Sequence, residues 1–119
     1  VDQGIPMLGQ AVLLRNVNDD ARTLEALLRR MVENRIKPYY LHHADRANGT
    51  RHLRTTIARG RLLVGTLRGR LSGVCQPGYV LDIPGGHGKS PIGPDYVRTR
   101  GDGKMEIKDY QGHWHEYES

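Results

Sequence analysis

The feature that most constrains this chain is an alternation of strand-length apolar runs with helix-length amphipathic segments. Gln10 to Arg15 (QAVLLR) is a short apolar run, bounded by Gly9 and by the turn formers Asn16, Asn18 and Asp19, and predicts a buried strand. Asp19 or Asp20 can cap a helix running to about Asn34, with Leu24, Leu27, Leu28, Met31 and Val32 on one face. Ile36 to His42 (IKPYYLH) is rich in β-branched and aromatic residues and predicts a second strand, in which Pro38 is tolerated only at the first ladder positions or on an edge. A polar loop from His43 to Arg54 precedes a helix capped by Thr55 or Thr56. Ile57, Leu62, Leu63, Leu67 and Leu71 recur on one side of it, while Gly60, Gly65 and Gly69 count against it. Tyr79 to Ile83 (YVLDI) predicts a third buried strand that runs into Pro84-Gly85-Gly86-His87-Gly88-Lys89.

Strands alternating with helices imply an α/β fold with a parallel sheet, right-handed crossovers, and a ligand site at the carboxyl ends of the strands. Asn16 to Asp20, His42 to Asp45 and Asp82 to Lys89 all follow predicted strand ends. Three strands cannot close a barrel. Gly4 and Pro6 look like the exit of a preceding helix, so the earlier strands are expected to lie outside this chain. From Tyr96 the pattern changes to YVRTR and KMEIKDY joined by Gly101-Asp102-Gly103, which predicts a small β-hairpin extension.

Length and composition narrow the function. A chain of 119 residues holds one modest core, and with 37% hydrophobic and 26% charged residues it has no apolar run long enough to span a membrane. The opening Val-Asp-Gln-Gly-Ile-Pro does not resemble a secretory signal, so the expected location is cytoplasmic. The single cysteine, Cys75, excludes an internal disulfide, a four-thiolate zinc site and an iron–sulfur cluster held by this chain alone; it is expected to be a small buried hydrophobe.

The motifs are weighed against their plain readings. Gly88-Lys89-Ser90 has the ending of a phosphate-cradling loop, but Ile83 stands where a glycine is needed, and Pro91, Gly93 and Pro94 forbid the helix that should follow. What remains is a lysine in a glycine loop after a buried strand: a solvated side chain, or an amine for Schiff-base chemistry beside backbone that a planar cofactor can approach. His42 and His43 are adjacent on a strand and point to opposite faces, while His113 and His115 share a face but lack a third ligand at a recognisable spacing, so no metal site is expected. The net charge of +5, with Arg29, Arg30, Arg35, Arg68 and Arg70, raises a basic nucleic-acid-binding module as an alternative of another class. No recognition module or aromatic platform accompanies those arginines, and no nucleic-acid partner is expected.

The stretches GIPMLGQAVLLRNVNDD, NRIKPYYLHHADRANGT, YVLDIPGGHGKSPIGPDY and DYQGHWHEY, in this order, resemble the carboxyl-terminal part of the lysine 2,3-aminomutase family. Members are isomerases that use pyridoxal phosphate, S-adenosylmethionine and a 4Fe–4S cluster to interconvert L-lysine and β-lysine by radical amino migration. The resemblance implies that residues 1–90 are the last βα units of a partial TIM-like radical S-adenosylmethionine barrel, and that 91–119 are a β extension making a subunit contact in a homo-oligomer. It implies that Lys89 carries pyridoxal phosphate as an aldimine, that Asp45 and Asp82 hold the side-chain ammonium of L-lysine or a similar cationic amino acid, and that Gln10 touches S-adenosylmethionine. As single residues, Asp45 reads as a solvated turn residue, Asp82 as a strand-end carboxylate bonded to loop amides, and Gln10 as an amide bonded to backbone. Relatives acting on glutamate would need donors where Asp45 and Asp82 stand. The CxxxCxxC cluster motif is absent, so this chain alone is expected to be inactive and to need the amino-terminal part of the same protein. Asp20 stands where some members have a zinc-binding cysteine, and His42 where some have a tyrosine near the cofactor. An aminomutase-like enzyme that β-lysylates a translation factor is the nearer alternative, disfavoured by the extension from Ile92 to Ser119.

Overall fold

The computed structural model of the chain describes residues 7–44 and 54–118. In chain order it contains β1 (Met7–Leu13), α1 (Ala21–Glu33), β2 (Ile36–His43), α2 (Ile57–Arg68), a short 3-10 turn (Gly73–Cys75), β3 (Gly78–Ile83), β4 (Gly88–Pro91), β5 (Val97–Thr99), β6 (Met105–Lys108) and β7 (Trp114–Tyr117). The first four strands form one sheet in the order β1-β2-β3-β4, and the last three form a second.

Both predicted helices form, and both caps are as the sequence suggests. Asp20 is extended and its carboxylate accepts the Thr23 N–H, and Thr56 does the same for the Arg59 N–H. The apolar face of α1 buries Leu24 and Leu28, with Met31 partly buried and Leu27 at its margin. In α2 the inward face differs from the predicted one. Gly60, Leu63, Val64 and Leu67 are buried, whereas Leu62 is 62% exposed and Ile57 also faces out. Gly60 is required there, because a Cβ at this position would come within 1.9 Å of the Tyr79 hydroxyl oxygen.

β1, β2 and β3 are parallel neighbours, as the alternation predicts, but the sheet is not parallel throughout. β4 runs antiparallel to β3. Its connection, Pro84 to His87, is far too short for the crossover that a parallel neighbour needs. The described residues form an open four-stranded sheet, and a barrel is not seen among them. β1 begins and ends earlier than predicted, and of its residues only Leu13 is fully buried, because β1 is a sheet edge. Pro38 is buried and stands at the third pair of the β1–β2 ladder, before the β2–β3 ladder begins. The register shifts there, from Gly9↔Pro38 to Gln10↔Tyr40, and β3 pairs with β2 only from Tyr40 onward, so the missing N–H falls at an irregularity.

One face of this sheet is a core of Leu13, Leu41 and Tyr79 packed with Leu24, Leu28, Leu63, Val64 and Leu67 from the two helices. Cys75 is buried as expected, beside Ser72. The predicted terminal hairpin is a three-stranded antiparallel meander, since β7 adds to β6. Arg98 stacks on Trp114 at 3.9 Å across it. No helix among the described residues is long and apolar enough to cross a membrane.

Candidate active site

Strand register determines which side chains meet. Gln10 pairs with Tyr40, His42 with Val80, and Asp82 with Lys89, so Gln10, Tyr40, His42, Asp82 and Lys89 lie on the sheet face opposite the helices. Gln10, His42 and Asp82 also line a cleft of about 570 Å³ with Ala11, Val12, Leu14, His43 and Ala44, at the carboxyl ends of β1 to β3. Three of the four predicted site residues, Gln10, Asp82 and Lys89, are therefore on one face. The fourth, Asp45, lies outside the described residues.

Lys89 belongs to a strand and not to the glycine loop before it. Its Nζ lies 3.1 Å from Asp82 Oδ1, directly across the β3–β4 pair, with 41% and 55% of the two side chains exposed. Because Lys89 opens no helix, the phosphate-cradling loop is excluded structurally as well as by sequence.

Two neighbours were not assigned a role from the sequence. His42 Nε2 lies 2.7 Å from Gln10 Oε1, so the ring, as the Nε2–H tautomer, donates to the amide oxygen and leaves the amide NH2 free to donate. Tyr40 stands next to His42, with ring centroids 5.7 Å apart, and its hydroxyl is held above its usual pKa chiefly by a hydrogen bond with Tyr39, an effect the nearby Lys89 charge opposes. Tyr39 and Tyr40 meet, at 4.3 Å between centroids, because Tyr39 is the extra residue at the register shift, between Pro38, which pairs with Gly9, and Tyr40, which pairs with Gln10. No periodicity in the sequence signals such an irregularity.

His43 turns the other way, as strand geometry requires. Its Nδ1 shares a 2.8 Å hydrogen bond with the Tyr79 hydroxyl. Burial lowers the His43 pKa, with the charge of Arg54 adding to it, and pushes the Tyr79 phenol up to about 12. Of the C-terminal histidines, His115 bonds Asp109 at 2.5 Å, and His113 lies 4.0 Å from the same carboxylate. Among the described residues no group of three histidine, cysteine or acidic side chains could hold a metal ion. Three of the arginines that raised nucleic-acid binding are engaged within the chain: Arg29 and Arg70 on Glu25, and Arg68 over Tyr96.

The open face suits a carbonyl cofactor. The Lys89 amine is accessible, and a Cβ at Gly86 or Gly88 would meet nothing within 4 Å, so the turn beside it leaves room for a planar group. It does not suit an iron–sulfur cluster, since the one cysteine of the chain is buried away from this face.

The open face thus carries a lysine amine paired with a carboxylate at the strand ends, and the chain's relatives are aminomutases, which are isomerases. A family model described as lysine-2,3-aminomutase matches residues 64–119. The L-lysine 2,3-aminomutase of Clostridium subterminale is 39% identical over 93% of this chain and 27% of its own length. That of Acetoanaerobium sticklandii is 40% identical over the same shares. The glutamate 2,3-aminomutase of Clostridioides difficile is 33% identical over 92% of this chain and 26% of its own. The chain belongs to the lysine 2,3-aminomutase family and corresponds to the carboxyl-terminal part of its members. It spans roughly a quarter to a third of the length of the relatives it matches.

Proposed function

We propose that this chain is the cofactor-anchoring and substrate-selecting part of an L-lysine 2,3-aminomutase, which interconverts L-lysine and β-lysine. The observation that carries the reading is the Asp82–Lys89 pair on the open face, with Gln10 and His42 in the same strand-end region. In this reading residues 1–90 are the last strand–helix units of a radical S-adenosylmethionine barrel, and 91–119 are a β extension that contacts another subunit of a cytoplasmic homo-oligomer. Pyridoxal phosphate, when bound, supplies electron delocalisation for the migrating amino group, while S-adenosylmethionine and a 4Fe–4S cluster held by the rest of the protein supply the radical.

The residues of this chain do the holding. Lys89 offers its amine to the cofactor aldehyde. Asp82, with Asp45, takes the distal ammonium of lysine, which must lose water on entering a closed site and recovers the cost in charge-assisted hydrogen bonds. Gln10, its oxygen engaged by His42, presents N–H donors to S-adenosylmethionine. The helices on the far face of the sheet exclude water from behind these strands.

The test is reconstitution of the full-length protein without oxygen, with cluster, cofactor and S-adenosylmethionine verified. β-Lysine is the expected product, and borohydride reduction followed by peptide mapping should locate the pyridoxal adduct on Lys89. An adduct on Lys37 or Lys104, or no β-lysine, would reject the reading.

A further inference from the structure

We propose that Asp82 serves two cations in succession, and that the first is the ammonium of Lys89 itself. The inference rests on the reading of Lys89 as the cofactor lysine. Asp82 and Lys89 are directly opposed in the β3–β4 ladder, and the connection Pro84 to His87 holds that register. Opposed residues of an antiparallel pair point to the same face, so the Nζ–Oδ1 contact of 3.1 Å follows from the backbone. A lysine ammonium and the distal ammonium of a lysine-like substrate carry the same charge and the same three donors. While Lys89 is an ammonium it already occupies the carboxylate that the substrate needs.

Capture of an aldehyde ends that competition. The ammonium gives its proton to solvent, the nitrogen lone pair forms a bond to the aldehyde carbon, and the carbonyl oxygen leaves as water. The resulting C=N nitrogen keeps at most one hydrogen in place of three and is tied to the incoming carbon. Asp82 is then left for a second cation. Loading of the carbonyl cofactor thus precedes, and makes possible, tight binding of the ammonium end of the substrate. This order is set by one cross-strand pair and needs no conformational change.

The experiment uses the full-length protein freed of pyridoxal phosphate, with N-methyl-n-pentylammonium as the probe, since it carries an alkylammonium with N–H donors but, as a secondary amine, forms no neutral imine with the cofactor aldehyde. Calorimetry should show weak binding to the unloaded wild type and at least tenfold tighter binding to Lys89→Met. Lys89→Arg, which keeps the cation, should stay weak, and adding Asp82→Asn to Lys89→Met should remove the gain. Loading the wild type with pyridoxal phosphate should tighten binding in the same direction, a comparison that requires no variant to fold. Equal affinity before and after loading, or a Lys89→Met gain that survives Asp82→Asn, overturns the proposal. The failure is distinguishable from that of the functional reading, because an adduct mapped to Lys89 with no gain in ammonium affinity sinks only the exchange, whereas an adduct elsewhere sinks the reading.

Discussion

Glycines carry two different meanings in this chain, and only the surroundings tell them apart. Gly60 is helical and counts against α2 on propensity, yet an added Cβ would overlap the Tyr79 phenol at 1.9 Å from its oxygen, 2.4 Å from Cζ and 2.8 Å from Cε2. The phenol is in turn bonded to His43, so the missing side chain makes room for a buried polar pair. Gly73 also lacks φ strain, and a Cβ there meets nothing within 4 Å. Gly60→Ala should therefore destabilise the protein by about 1 to 3 kcal/mol through overpacking, less the gain in helix propensity of about 1 kcal/mol. Gly73→Ala should be neutral. Thermal denaturation of the two full-length variants separates them, and equal melting temperatures would remove the packing role of Gly60. Sequence reasoning reached the helix but saw Gly60 only as a weakness, since the aromatic residue that needs the space is distant in the chain.

Between elements, the turn from β6 to β7 is organised by one carboxylate. Asp109 accepts the backbone N–H groups of Gln111 and His113 through one oxygen and the His115 ring through the other. The His115 hydrogen bond is the largest of the causes that hold the Asp109 carboxyl down at about 2, followed by the His113 N–H. Its folded pKa lies below the unfolded value of 3.8, so its contribution to stability is fully present above about pH 4 and is lost as the pH falls toward 2. Carbon-detected NMR of labelled aspartate should find an Asp109 midpoint near 2, moving upward in His115→Phe. A midpoint at the ordinary aspartate value would mean that the turn is not held this way. His115 lies in β7, an edge strand of the second sheet, and His113 stands just before it. The third strand itself was not foreseen, because Trp114 to Tyr117 is short, and pairing with β6, not its own composition, makes it a strand.

At the scale of the whole molecule, the proposed function makes substrate choice depend on carboxylates that follow different strands. Asp82 comes from β3, and Asp45 follows β2 in the sequence. If the two act as a pair on one ammonium, removing either leaves the charge half-compensated, a loss of about 2 to 5 kcal/mol for a desolvated pair. Asp45→Asn and Asp82→Asn should each lower kcat/KM for lysine by roughly tens to thousands of fold in the reconstituted full-length enzyme. Turnover unchanged in both would show that the ammonium lies elsewhere and would reopen a glutamate-type substrate, the kind named for the relative in Clostridioides difficile. The helices, their caps, the three parallel strands and the opposite facing of His42 and His43 were legible in the sequence, because each is set by residues within a few positions of one another: a 3.6 or 2.0 period, an oxygen three residues before an N–H, an alternation of faces. The antiparallel β4, the bulge that admits Pro38 and joins Tyr39 to Tyr40, the Gln10–His42 bond and the Asp82–Lys89 contact were decided by the tertiary structure. Each depends on strand register, and register is a relation between distant segments that local spacing does not contain.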